Sequence, residues 1–452
     1  MDFPIVYAAG KEGWASLEAG KKGGDLTPLF ETILGHVPAP AADPTKPFQM
    51  QVTMLDRSNY VGKIAVGRVY NGKVLRHSQV ALLKKDGTRS LHKVTQLLRH
   101  FGLERLEVQE AEAGDLVALA GIEEANVGDT IADSERPELL PPLVIDEPTL
   151  SIEISVNSSP FAGRDGKFVT SRHLRDRLLQ EKAINVGLRI EELPGEGNFR
   201  ISGRGELHLA ILIETMRREG YELSVARPEV IDKVENGVKT EPTEHLVIDI
   251  QTEHQGVVLE CLGGRGARMV QMQPEGTERL RLEYIIPARA LMGFKSELLT
   301  LTRGAGLMHH SFHGYEPKHG EPARRPNGVL VAKDGGVSTG YALDNLQERS
   351  VLFVGPGVPV YEGMIVGQNA RDNDLVVNPC KAKQLSNMRS KASDEAIQLS
   401  PPRTFSLEQA LEYIESDELV EVTPKSLRLR KKVLDKTRRK RADRDAADEE
   451  LG

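Results

Sequence analysis

Thiols and tryptophan are almost absent from this chain: its 452 residues include two cysteines, Cys261 and Cys380, and one tryptophan. Two thiols exclude a disulfide framework and a Cys-based zinc site, and such scarcity suits a reducing cytosol. Long apolar runs are lacking too. None approaches the roughly 18 residues of a membrane-spanning helix, and Met1-Asp2-Phe3 opens no signal peptide. A phosphate loop is also missing. The five Gly-Lys pairs, at Lys11, Lys21, Lys63, Lys73 and Lys167, are followed by Glu, Lys, Ile, Val and Phe, whereas that loop needs Ser or Thr there to reach magnesium. Neither an Asp-x-x-Gly switch nor an Asn-Lys-x-Asp base-reading motif is found. Excess positive charge is absent as well: 59 Lys and Arg stand against 66 Asp and Glu, a net charge of −7. Any phosphate binding must therefore come from local patches.

What the chain does contain is punctuation, 42 Gly and 25 Pro, and enough length for several cores. FPIVYAAG reads as a short buried-type strand, and Asp25 as the N-cap of a helix through Leu29, Ile33 and Leu34. One strand and one helix cannot bury their own faces, so residues 1–40 read as the last piece of a domain. VPAPAADPTKP is a stiff proline-rich linker, with 41–47 as its core. Residues 48–137 alternate as strands, with hairpin signals at Asn71-Gly72 and Asp86-Gly87; they predict a small closed barrel. Residues 145–230 follow a β-α-β-β-α-β order, the ferredoxin-like plan, and 242–320 repeat it. Residues 321–440 return to β structure, and 441–452 form a charge-switching tail expected to be disordered. The fold class is multidomain α+β: a β-barrel, two ferredoxin-like domains and a β-rich C-terminal domain.

The chemistry is sparse. Gly336-Val337-Ser338-Thr339-Gly340 matches the hydrolase nucleophile elbow but lies between β stretches, so a hairpin turn is the better reading. His309, His310, His313 and His319 cluster, yet the neighbouring glycines oppose a helix and no thiol supports zinc; no metal is expected. Gly203-Arg204-Gly205-Glu206-Leu207-His208 marks a strand-to-helix junction, where packing is favoured over direct RNA contact. The segment Asn373 to Lys391 stands out, because Lys381, Lys383, Arg389 and Lys391 occur there while no carboxylate side chain lies between Asp374 and Asp394. With Asn387 it reads as a polar loop that attracts phosphate. A second basic segment, 425–441, holds ten Lys or Arg, among them Lys425, Arg428, Arg430 and Lys431, against Asp435 alone. Two such patches in an acidic chain point to an RNA partner.

The stretches VNSSPFAGRDGKFVTSR, ISGRGELHLAILIETMRREG, LEYIIPARALMGFKSE, PNGVL, VYEGMIVG and LEQALEYIESDELVEVTPKSLRLRK resemble the BipA/TypA branch of the translational GTPases related to elongation factor G. LepA is the nearest rival, and 320–440 favours BipA/TypA. The resemblance implies that 48–137 is the translation-factor barrel, that 145–230 and 242–320 correspond to domains III and V of elongation factor G, and that 321–440 is specific to the branch. It also implies a cytoplasmic, ribosome-associated protein that contacts ribosomal RNA and the transfer-RNA acceptor end, with roles in stress adaptation and large-subunit assembly. GTP and magnesium belong to the complete family protein. In this chain 1–40 would be the remnant of the GTP-binding domain, with Ala8, Ala9 and Gly10 at its last guanine-contacting motif, where a Ser-Ala pair is usual. No cofactor and no GTPase activity are expected of this chain alone, nor membrane or DNA binding, and a monomer is expected. The alternative is a truncated non-enzymatic protein that binds a protein partner through the exposed 1–40 segment.

Overall fold

A computed structural model of the chain describes residues 3–38, 42–58, 60–102, 104–143, 147–276, 278–318, 320, 325–382, 398–439 and 441. They fall into two compact units, Met1–Val144 and Ile145–Gly452.

In the first unit, Tyr7–Ala9 pairs antiparallel with Trp14–Ser16, and a helix follows at Thr27–His36. The N-cap is Leu26, without a side-chain bond, and not Asp25 as expected; Asp25 stands one residue earlier, its carboxylate accepting from the Thr27 N–H at 2.9 Å. The helix buries no side chain. Eight of the remaining strands form one ladder in the order 89–93, 79–83, 130–133, 49–58, 62–71, 116–120, 96–101 and 104–107. No separate ladder joins its edges. Instead Arg89–Lys93 runs on through Val94 and Thr95, with a bend, into Gln96–Phe101, so these two strands are linked by chain continuity alone and the expected closed barrel is not closed by strand pairing among the described residues. Val94 donates to Ser78 and Thr95 to Ala120 at this bend. Gly121 is needed beside it, because a Cβ there would lie 2.3 Å from the Lys93 carbonyl oxygen. Met50, Val52, Leu82, Leu97, Leu119 and Ile131 fill the interior.

Asp86-Gly87 closes a hairpin, Leu83 opposite Arg89. Asn71-Gly72 does not. Gly62–Asn71 pairs with Gln49–Ser58, whereas Lys73–Leu75 pairs with Glu110–Glu112. Gly72, with φ of 70°, therefore makes a kink between two ladders. The reason is crowding: a Cβ on Gly72 would sit 2.5 Å from the Phe48 nitrogen, so the left-handed conformation serves close approach rather than strand reversal.

The second unit contains two β-α-β-β-α-β folds. The first comprises Leu150–Val156, helix Ser171–Ile184, Arg189–Glu192, Asn198–Gly203, helix Glu206–Glu219 and Leu223–Ala226. Thr170 caps its first helix through the His173 N–H, and Gly220, with φ of 101°, ends the second, as a C-terminal glycine commonly does. The other comprises Val238–Gln251, helix Gln255–Gly264, Arg268–Glu275, Arg279–Pro287, helix Phe294–Leu301 and Leu307–Pro317. Leu246, Ile248, Leu282 and Ile286 alternate onto its helix-covered face, the period expected of a half-buried strand.

Farther along, Ser350–Leu352, Ile365–Asn369, Val329–Ala332 and Leu375–Val377 make a four-stranded sheet, its last pair parallel. The final hairpin, Glu418–Val422 and Leu427–Lys431, leaves that sheet and extends the sheet of the first ferredoxin-like fold, with Leu223 opposite Val422 and Ala226 opposite Leu419. A single core follows from this, in which Ile213, Met216 and Val225 pack with Leu411, Ile414, Val420 and Val422. The predicted grouping of 321–440 did not include this shared sheet, because register across so long a separation has no local signal.

Candidate nucleic-acid interface

The predicted loop grows from the strand Leu375–Val377. The Asn378 carboxamide accepts from the Cys380 N–H at 2.9 Å and donates to Asp334 at 3.2 Å. The Thr339 N–H donates to Pro379, and the Thr339 hydroxyl donates to the Lys381 carbonyl at 2.6 Å. Thr339 is also the N-cap of the helix Gly340–Gln347. At that helix's other end, the Gln347 side chain donates to the Gln398 carbonyl at 2.9 Å and accepts from the Ser400 N–H at 3.0 Å. Eight helical residues, about 12 Å long, thus hold both feet of the segment between 381 and 398. Lys381 is exposed. Lys383, Asn387, Arg389 and Lys391 lie outside the described residues.

The second basic segment divides. Lys425 is exposed at the tip of the last hairpin, and Lys432, Lys436, Arg438 and Arg441 are exposed beyond it. Arg430 and Lys431 are not surface cations: they are 2% and 3% exposed. The Lys431 ammonium meets Asp374 at 2.6 Å, Asp417 at 2.7 Å and Glu418 at 2.9 Å. Burial alone would lower its pKa, but Glu418 and Asp417 outweigh that and hold it above the ordinary lysine value. Arg430 donates to the hydroxyls of Ser158 and Ser224, and burial lowers its pKa. Arg428 is half-buried against Glu421 at 3.0 Å and Asp165 at 3.6 Å. An RNA phosphate could reach Arg430 or Lys431 only by opening the sheet, which corrects their assignment as RNA contacts. The cause is cover from the neighbouring layer, where Lys431 donates its N–H to Gly363 and Arg430 bridges Met364. A signal was available: in a hairpin turning at Lys425, Glu418 falls opposite Lys431 and Glu421 opposite Arg428.

Ala8 and Ala9 pair with Ala15 and Trp14, and Gly10 lies in the turn with nothing within 4 Å of a Cβ placed on it. The hairpin brings no gripping group to these three. Around it Phe3, Ile5, Phe30, Ile33 and Leu34 are exposed, Leu34 at 82%.

Ser338 lies between the short strand Gly336–Val337 and the helix Gly340–Gln347, a strand-to-helix junction and not the expected hairpin turn between two strands. Its buried hydroxyl donates to Gly355 and accepts from the Val358 N–H. His309, His310 and His313 lie on the strand Leu307–Pro317, and His310 meets Glu244 at 2.9 Å. Among the described residues no His, Cys, Asp and Glu group fits a metal ion; His319 is outside them. At the 203–208 junction, Gly205 caps a helix whose first residue, Glu206, turns inward. One Glu206 carboxyl oxygen is buried without a hydrogen-bond partner. Burial, then the Glu412 and Glu408 carboxylates, push its pKa up to about 7.

Sequence reasoning missed a buried polar cluster around Glu222 and Glu421. The Glu222 carboxylate accepts from the backbone N–H groups of Gly163, Asp165 and Gly166 and from Asn157. Burial would raise its pKa, and these donors hold it below the usual carboxylate range instead. Beside it Glu421 accepts from Ser159 at 2.9 Å and from Tyr361 at 2.6 Å. The run NSSPFAGRDG, rich in small and turn-forming residues, was the available sign of a loop folded around an anion.

Residues 327–436 match the TypA/BipA C-terminal domain, 238–326 the elongation factor G C-terminus, and 62–132 domain 2 of elongation factor Tu. Proteins called large ribosomal subunit assembly factor BipA are similar along nearly the whole chain. That of Escherichia coli strain K12 is 49% identical over 450 residues, covering 99% of this chain and 74% of its own length. That of Salmonella typhimurium is 48% identical with the same coverage. The Synechocystis protein is 50% identical over 430 residues, 95% of this chain and 72% of its own. A solved structure from Thermus thermophilus aligns at a TM-score of 0.42 and 19% identity over 64% of this chain and 59% of its own, a likeness too slight to add to the argument.

Proposed function

Because the chain belongs to the TypA/BipA family, we propose that it is the ribosome-binding part of a translational GTPase that serves assembly of the large ribosomal subunit. The observation that carries this reading is the clamp on residues 381–398: a helix braced at both ends holds the feet of a segment whose charged side chains are all cationic up to Lys391. The RNA contacts in this reading are Lys381, Lys383, Asn387, Arg389, Lys391 and Lys425, with ribosomal RNA and the acceptor end of transfer RNA as targets. Stress adaptation, a cytoplasmic location and a monomeric state belong to the same proposal.

GTP and magnesium would be held by a GTP-binding domain, and residues 1–40, with a two-stranded hairpin and a helix, are read as belonging to that domain. Their bare apolar side chains support this, since such a helix face is normally covered. Kinship with proteins called large-subunit assembly factors favours this reading over a protein-binding remnant.

The test is co-sedimentation of the chain with large ribosomal subunits across a salt series. Replacing Lys381, Lys383, Arg389 and Lys391 together with Ala should weaken binding and flatten the slope of log affinity against log salt by about 0.7 to 0.9 for each phosphate no longer neutralised. Unchanged sedimentation and slope would remove the segment from the interface.

A further inference from the structure

A cleft of about 550 Å³ opens between the helix Glu206–Glu219, the segment 403–408 and the last hairpin. This volume falls within the roughly 300–1,000 Å³ of small-molecule sites. Its floor is apolar, with Phe353, Met364, Ile365 and Leu429 among the residues that line it. Phe353 meets Phe405 edge-on at 4.9 Å between ring centres.

Charge on the walls is unequal. Arg217, Arg218, Arg403 and Arg428 line the cleft against Glu214 and Glu408, in a chain that is acidic overall. Two of the arginines share one acid: Arg217 meets Glu214 at 3.2 Å and Arg218 meets it at 3.1 Å. Arg218 is tied through Nε alone, which leaves both terminal nitrogens of an exposed guanidinium to donate. Arg403 has no carboxylate partner among the described residues. Its guanidinium stacks over Phe405 at 4.8 Å and Tyr413 at 5.6 Å, and the Arg403 N–H is fixed to the Leu352 carbonyl at 2.8 Å. Ring stacking orients a guanidinium while leaving its in-plane donors directed outward.

Aromatic and aliphatic surface beside two guanidiniums with uncommitted donors suits a ligand that is aromatic at one end and doubly charged at the other. We propose that this cleft is a nucleotide-binding site, with the base against Phe353 and Phe405 and the phosphate on Arg403 and Arg218. Stacking on aromatic rings serves every base, and bidentate arginine suits phosphate, so the site takes nucleoside phosphates as a class. The same chemistry arises from a free mononucleotide or from one residue of a single RNA strand. Neither source depends on the 381–398 clamp.

Calorimetric titration of the whole chain with each nucleoside monophosphate, a tetraribonucleotide, adenosine and inorganic phosphate tests this. A monophosphate should bind at least about tenfold more tightly than adenosine or phosphate alone, since both halves of the site are then engaged. Arg403→Ala and Arg218→Ala should each weaken binding by about tenfold or more, and Phe405→Leu should weaken the base-bearing ligands while leaving phosphate unchanged. Arg172→Ala, at an exposed side chain that does not line the cleft, should change nothing. Tighter tetranucleotide binding assigns the source to an RNA strand; equal binding assigns it to free nucleotide. No heat with any nucleotide at millimolar concentration, phosphate binding as tight as monophosphate binding, or an Arg403→Ala protein that melts normally and binds as before would each overturn the site. Subunit co-sedimentation of Arg403→Ala, run in parallel, separates failure here from failure of the ribosome reading.

Discussion

The hydroxyl of Thr339 donates to the carbonyl of Lys381 at 2.6 Å while accepting from the Ala342 N–H at 3.2 Å. One oxygen therefore starts a helix and holds one foot of the basic segment. Thr339→Val keeps the shape and removes both bonds. It should cost about 0.5–2 kcal/mol of stability, as losing an N-cap usually does, and should weaken large-subunit binding although no charge has changed. Denaturant midpoints and co-sedimentation measure the two effects; a stability loss with full binding would show that the clamp does not position the segment.

Lys431 and Lys425 lie six residues apart and should behave oppositely. Lys431→Ala leaves Glu418, itself fully buried, without one of its cations, and should destabilise the fold by about 3–5 kcal/mol. Lys425→Ala, exposed, should stay within about 0.5 kcal/mol yet reduce the salt dependence of ribosome binding. Urea unfolding of both variants decides; equal stability losses would mean that the buried network around Lys431 has been misread.

Glu206 gives a pH dependence of defined sign. Burial and the Glu412 and Glu408 carboxylates raise its folded pKa to about 7, above the roughly 4.3 of an unfolded glutamate. The folded state thus binds the proton more tightly, so this group's stabilisation is complete below about pH 4.3 and is lost as pH rises to about 7. Glu418 works the other way. Arg325 and Lys431 hold its pKa low against burial, and its contribution is lost as pH falls through that lowered value. Comparison with Glu206→Gln isolates the first effect: the variant should gain stability over the native chain as pH rises from 5 to 8. A constant difference across that range would place Glu206 in solvent.

The 452-residue chain, purified and mixed with ribosomes, should release no phosphate from GTP. Its Gly-Lys pairs lack the following Ser or Thr that a magnesium-bound phosphate loop requires. Steady ribosome-stimulated phosphate release would contradict this.

Leu411 is 1% exposed in the core shared by the helix Leu407–Tyr413 and the hairpin beside it. Leu411→Ala should cost about 2–5 kcal/mol, read as a lowered denaturant midpoint in a single transition covering the first ferredoxin-like fold and the last hairpin. Two separate transitions would mean that this shared core does not couple them.

Period and punctuation made the two β-α-β-β-α-β folds legible, because Leu209, Ile213 and Met216 recur at helical spacing and Leu246, Ile248 and Ile250 alternate. Asp86-Gly87 was legible for the same reason: its turn chemistry and its strand pairing agree. Asn71-Gly72 was not, since left-handed glycine serves a tight crossing as well as a hairpin, and the difference lies in Phe48, far away in sequence. Basic residues were read as surface where charge was dense. At Lys425 and Lys381 that holds, but at Arg430 and Lys431 the covering layer comes from residues near 364 and 374. Glu222 escaped notice because its donors are backbone N–H groups, which carry no residue identity.

The last hairpin completes a sheet begun much earlier, and this sets a timetable for synthesis. Leu419 leaves the ribosome about 190 residues after its partner Ala226, an interval of about 10–40 s at roughly 5–20 residues per second. Throughout it the strand Leu223–Ala226, destined to be wholly buried, is paired with Leu150–Val156 on one side and has no strand on the other. An open apolar edge of this kind is a template for wrong pairing, so a nascent chain stalled between the two strands is the form of this protein most exposed to aggregation and most in need of a chaperone.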